Sequence, residues 1–104
     1  KNVYPEAIES VINEFEIVLE SLVFQQNNQI AARVHLNYEE LDRKFAGENL
    51  PDSQIRERVK ALLEDLRRQI NDRLSSHSRI QTLIEQTEPF EKTPTQKIKR
   101  HLYV

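Results

Sequence analysis

Cysteine is absent from this 104-residue sequence, so it can form neither a disulfide framework nor a thiolate metal site. Methionine is absent too, even at position 1, and we therefore expect a piece of a longer polypeptide. No apolar run approaches the ~20 residues of a membrane-spanning helix, and no signal peptide is visible. These absences favour a cytoplasmic protein, either free or attached peripherally to a membrane.

Neither sign of charge dominates the sequence. Lysine and arginine number 15, aspartate and glutamate 17, which gives a net charge of -2. No overall positive field is therefore expected to attract nucleic acid. Three acidic residues just before the basic C-terminal stretch further argue against a nucleic-acid partner: Glu85, Glu88 and Glu91. At 104 residues the chain is long enough for the core of one domain but not of two, and its apolar content of 38% fits a modest core.

Apolar residues recur at helical spacing in three segments. The first is predicted over residues 4–14, with Pro5 at its first position, where the missing N–H costs nothing. A short helix follows a capping box that begins at Asn37, and Gly47, the only glycine, is expected to end it. The longest helix keeps an apolar stripe over about five turns. That stripe consists of Ile55, Val59, Leu62, Leu63, Leu66, Ile70 and Leu74.

Two packing arrangements are open to the long helix. Its stripe suits packing on a sheet, which we favour because the helix is short for a coiled coil. A coiled-coil dimer is the alternative. Either Asp52 or Ser53 is predicted to cap its N-terminus.

Three segments are predicted as strands, at residues 17–24, 29–36 and 79–87. The first is apolar on both faces and is expected to be the more buried of the first two. The second alternates, which places His35 at the surface and argues against a catalytic role for it. The predicted fold class is α+β, with a three-stranded, mostly antiparallel sheet packed by helices, one of them long.

The C-terminal stretch, residues 88–102, is the most unusual part of the sequence. After the turn at residues 93–95, Lys97 stands on a short tether with further basic residues behind it. A lysine displayed in this way carries three donors that suit a phosphate or a carboxylate. The residues alone leave three interpretations: an idle solvated tail, a docking tail for nucleic acid or an acidic partner, or a catalytic lysine.

Two segments resemble motifs of one enzyme family. Residues 93–100, T-P-T-Q-K-I-K-R, are similar to the C-terminal lysine motif of the AMP-forming acyl-CoA synthetases, and most of all to the long-chain fatty acid group. Residues 1–9, K-N-V-Y-P-E-A-I-E, resemble the segment that opens the small C-terminal domain of these enzymes. The two motifs bracket the chain in the order and at the separation that the family has.

This resemblance implies that residues 1–104 are the mobile C-terminal domain of a long-chain fatty acid–CoA ligase. The large N-terminal domain, absent from this chain, would be its partner and would hold the fatty acid, ATP, CoA and Mg²⁺. Such enzymes first form an acyl-adenylate, and CoA then displaces AMP. Lys97 takes the position of the catalytic lysine of the first step, and the hinge falls just before Lys1.

The resemblance assigns no cofactor-binding or metal-binding residue to this chain. Alone it is expected to bind no ATP, CoA or Mg²⁺ and to be inactive. Gln96 replaces a common glycine and is expected to stiffen the loop, while Ala7 replaces a second glutamate on an exposed turn. Lys99 and Arg100 are expected to make surface or interdomain contacts. The alternatives are another adenylate-forming ligase, or a non-catalytic interaction module with a basic docking tail.

Overall fold

The computed structural model describes residues 3–104, so Lys1 and Asn2 of the N-terminal motif lie outside the described residues. Helices and strands alternate irregularly along the chain, as an α+β fold predicts. The helices are α1 (Pro5–Ile12), α2 (Tyr38–Phe45) and α3 (Asp52–Asn71). The strands are β1 (Val18–Gln26), β2 (Gln29–Leu36) and β3 (Thr82–Glu85), and short 3₁₀ turns lie at Ser76–Ser78 and Arg100–Leu102.

The three strands described in residues 3–104 form one mixed sheet in the order β1-β2-β3. β1 and β2 pair antiparallel through a tight hairpin, in which Asn27 and Asn28 have φ of 53° and 63°. Asparagine is among the few residues that tolerate this left-handed backbone. β3 pairs parallel with β2 because α2 and α3 return the chain to the end of the sheet at which β2 begins. The predicted fold class is confirmed.

One face of the sheet carries the main core, where α1 and α3 pack. Asn71, at the end of α3, fixes the approach to β3 with two hydrogen bonds. Its side-chain amide donates to the carbonyl of Ile80 at 2.9 Å and accepts from the N–H of the same residue at 2.8 Å. The buried apolar cluster consists of Ile8, Ile12, Val18, Val23, Ile30, Ala32, Val34, Leu36, Leu41, Leu66, Ile70 and Ile80.

The other face of the sheet is covered by the C-terminal segment of the chain. Leu22, Ala31 and Phe90 are buried, although they lie outside the main cluster. The ring of Phe90 meets Tyr103 edge to face with centroids 4.9 Å apart, and the carbonyl of Tyr103 accepts from Nε of Arg33 at 3.1 Å. The segment that carries Lys97 is therefore part of a second small core.

The prediction that His35 lies at the surface was wrong. The residue is only 7% exposed, and its Nδ1 lies 2.9 Å from the carbonyl oxygen of Gln86. Its ring also meets the edge of Tyr38, whose hydroxyl donates to the Glu85 carboxylate at 2.6 Å. Alternation in β2 predicts a polar outer face, but the chain that follows β3 covers it.

The predictions of which strand is more buried and of what caps α3 were wrong, whereas the predicted cap of α2 was confirmed. β2 is more buried than β1 because it is the central strand. Pro51, rather than Asp52 or Ser53, precedes α3, and no side chain caps that end. Asn37 does cap α2, since its side chain accepts from the N–H of Glu40 at 3.2 Å.

Phe90→Ala should lower the free energy of unfolding by about 3 kcal/mol, because it empties a buried ring site between the sheet and the C-terminal segment. Urea denaturation measures the change. Tyr4→Ala is the matched aromatic truncation, and it should have little effect because Tyr4 is 67% exposed. Equal losses in the two variants would show that the C-terminal segment does not form a core.

Tyr38 should make stability depend on alkaline pH. Burial, and then the hydrogen bond to Glu85, raise the pKa of this phenol above its ordinary value. The unfolded chain therefore loses the phenolic proton first, so the free energy of unfolding falls as pH rises above about 10.

Tyr38→Phe lacks this titration and should be less stable than the parent by about 1 kcal/mol at neutral pH. The difference should shrink above about pH 10 in denaturation curves recorded across the pH range. Tyr4→Phe serves as the exposed control. A stability difference between parent and Tyr38→Phe that stays constant into the alkaline range would contradict the assignment.

Candidate functional site

The candidate site is a small hairpin of residues 91–99, here named the lysine hairpin. Lys92 and Ile98 form an antiparallel bridge between its arms. The N–H of Thr93 donates to the carbonyl of Lys97 at 2.8 Å. The tether expected from the sequence is therefore an ordered hairpin, and Lys97 is the first residue of its second arm.

The turn of the lysine hairpin closes with a hydrogen bond from the N–H of Gln96 to the carbonyl of Thr93 at 2.9 Å. Pro94 occupies the second position of this turn, where its fixed φ is favourable. The hydroxyl of Thr93 accepts from the N–H of Lys97 at 3.2 Å. Gln96 has a φ of 68°, which is the left-handed bulge position that glycine usually fills in such hairpins.

The side chain of Lys97 is exposed and makes no ion pair within residues 3–104. Lys92, on the first arm, is instead paired with Glu20 of β1. Lys97 lines an open groove of about 810 Å³ between the hairpin, α1 and β1. Glu6 and Glu20 also line this groove, so its charge is mixed rather than uniformly positive.

Arg100, just after the hairpin, makes a two-pronged ion pair with Glu9 of α1. Its Nη2 donates to Oε1 of Glu9 at 2.7 Å and its Nη1 donates to Oε2 at 2.8 Å. The hydrogen bonds to Glu9 raise the pKa of the Arg100 guanidinium. Arg100 was expected to make a surface or interdomain contact, and it makes this contact within the domain with its side chain 41% exposed. Local patterns gave no signal of this pair, because its partners are 91 residues apart.

Within the described part of the chain, no group of three or more His, Asp or Glu side chains is placed to hold a metal ion. None of the helices in residues 3–104 combines the length and apolar character required to span a membrane. The exposed ammonium group of Lys97 can donate hydrogen bonds to anionic oxygens.

Gln96→Gly should stabilise the domain by about 1 kcal/mol, because glycine adopts the left-handed backbone without a steric cost. Thermal unfolding measures the change. Gln54→Gly makes the same replacement in the first turn of α3 and should lower stability by up to about 1 kcal/mol. If Gln96→Gly destabilises as Gln54→Gly does, the left-handed turn does not persist in solution.

No protein-family model and no curated protein sequence matches the chain. Solved structures do match it. The benzoate CoA ligase of Burkholderia xenovorans LB400 is 25% identical, with a TM-score of 0.66, over 98% of this chain and 18% of that one. The fatty acyl CoA synthetase of Mycobacterium tuberculosis is 25% identical, with a TM-score of 0.60, over 98% and 17%. An ATP-bound RpMatB-BxBclM chimera is 22% identical, with a TM-score of 0.68, over 98% and 18%.

The chain thus spans less than a fifth of the length of these matched proteins. The acids named for them differ, since one is a benzoate ligase and another a fatty acyl synthetase. The structural neighbours of this chain are adenylate-forming acyl-CoA and aryl-CoA ligases, and the chain has the fold of a small part of such enzymes.

Proposed function

We propose that this chain is the C-terminal, mobile domain of an AMP-forming long-chain fatty acid–CoA ligase, with Lys97 as the catalytic lysine of adenylation. One observation carries the proposal: Lys97 is exposed beside a hairpin turn, in the motif that resembles the family's lysine motif. The fold shared with acyl-CoA and aryl-CoA ligases supports it. Alone, the domain should have no catalytic activity.

The chemistry of adenylation explains the use of one unpaired ammonium. A carboxylate must approach an α-phosphate, and both groups are anions. Lys97 can donate to an oxygen of each, which orients them and offsets the charge that builds in the transition state. Bound on the large domain, ATP would supply the adenylyl group and release pyrophosphate, Mg²⁺ would neutralise phosphate charge, and CoA would accept the acyl group and release AMP.

The hairpin fixes the backbone of Lys97 and leaves its side chain exposed. Two hydrogen bonds with Thr93 hold the backbone of Lys97. The N–H of Lys97 donates to the hydroxyl of Thr93, and the N–H of Thr93 donates to the carbonyl of Lys97. The side chain extends from this point toward solvent. A lysine with this arrangement can enter a site on another domain without unfolding its own loop.

The choice of a long-chain acid rests on the motif, because the acid pocket would lie on the large domain. An aryl-acid or medium-chain ligase is the alternative within the superfamily, and the neighbours include both aryl and fatty acyl enzymes. A non-catalytic docking tail has less support. Lys92 and Arg100 are already paired with carboxylates of the same domain, which reduces the positive charge available to an acidic partner.

Lys97→Ala in the full-length parent should lower fatty-acid-dependent ATP–pyrophosphate exchange by about 10²–10³-fold. Conversion of supplied acyl-adenylate to acyl-CoA should change little, because the lysine acts in the first step. Lys60→Ala is the control, since Lys60 is an exposed lysine of α3 far along the chain from the hairpin. Near-normal exchange in Lys97→Ala would remove the catalytic assignment.

Comparing acids of different chain length and benzoate in the same exchange assay tests the substrate class. Strong exchange with long-chain fatty acids supports the proposal, and exchange with benzoate alone would favour the aryl-acid alternative.

A further inference from the structure

We propose that Arg100 is a positioning residue for Lys97, which acts by fixing the lysine hairpin to α1 through Glu9. The inference rests on the proposed function of Lys97. It concerns a residue that does not reach the reacting groups itself, since its guanidinium is engaged by Glu9.

The connection between Arg100 and Lys97 is short and rigid. Arg100 directly follows Lys99, whose N–H donates to the carbonyl of Glu91 at 2.9 Å and closes the base of the hairpin. Between base and turn, the two arms are joined by the Lys92–Ile98 bridge. The hairpin is thus bonded internally along its length, so a rotation at its base would move Lys97 with the whole unit.

The anchor for Arg100 is a buried, fully engaged carboxylate. Glu9 is 8% exposed, and its Oε2 also accepts from the N–H of Val23 at 2.7 Å. Val23 lies in the edge strand β1, so Glu9 joins α1, the sheet and the C-terminal segment. Two parallel N–H donors fix the plane of the guanidinium as well as its distance, which the single ammonium of a lysine cannot do.

The two arms of the hairpin are held by different contacts. The first arm is held by the Lys92–Glu20 pair and by a hydrogen bond from the N–H of Glu91 to the hydroxyl of Tyr103 at 2.7 Å. The second arm carries Lys97, and Arg100, which is paired with Glu9, directly follows this arm in the chain. Because Glu9 is buried, Arg100→Ala should also lower the stability of the domain, whereas Arg100→Lys keeps a cation beside the carboxylate. In both variants the first set of contacts still ties the hairpin to the sheet, and the direction of Lys97 should loosen.

The test uses the full-length parent carrying Arg100→Ala or Arg100→Lys. Exchange of ATP and pyrophosphate should fall by about 10- to 100-fold in both variants, because small displacements of a catalytic group are costly. Conversion of supplied acyl-adenylate should be unchanged. Arg58→Ala is the matched control: Arg58 makes a two-pronged pair with Glu48, remote from the hairpin, and its loss should leave exchange unchanged.

A double variant separates positioning from a structural role. If Arg100 acts through Lys97, Arg100→Ala should have no further effect on exchange in the Lys97→Ala background. Additive losses, an equal fall in both half-reactions, or full exchange in Arg100→Lys would each overturn the inference. Normal exchange in Lys97→Ala alone would overturn the proposed function itself. Loss with Lys97→Ala but not with Arg100→Ala would overturn only the role of Arg100.

Discussion

The arrangement of this domain depends on one carboxylate. Glu9 lies on α1 and is nearly enclosed, and its two oxygens take hydrogen bonds from Arg100 and from the backbone of Val23. A buried carboxylate is costly unless such donors surround it. The requirement is therefore mutual: α1, the edge of the sheet and the C-terminal segment must all be in place for the charge to be tolerated.

The C-terminal segment serves both the fold and the candidate site. Phe90 and Tyr103 pack on the sheet face opposite the main core, and Arg33 holds the carbonyl of Tyr103. The lysine hairpin lies between these two aromatic residues in sequence, so both of its ends are fixed by the small core. Burial of apolar surface on that face thereby limits where Lys97 can point.

Local patterns predicted the helices, the strands and the cap at Asn37, because each depends on neighbours in sequence. They failed for His35, whose partner Gln86 lies 51 residues away, and gave no signal of the pair between Arg100 and Glu9, which lie 91 residues apart. Periodicity describes which side of an element is apolar, not which distant segment will cover it. Lys97 could be singled out only through its motif, since an exposed lysine has no distinctive periodicity.

The charges around the hairpin distinguish Lys97 from Lys92 and Arg100. Lys92 is paired with Glu20 and Arg100 with Glu9, and both pairs are held against the body of the domain. Paired cations attract an incoming anion weakly, whereas an unpaired ammonium retains its full charge and all three donors. Paired charges on either side of the exposed, unpaired Lys97 suit the delivery of its charge to a site formed by another surface.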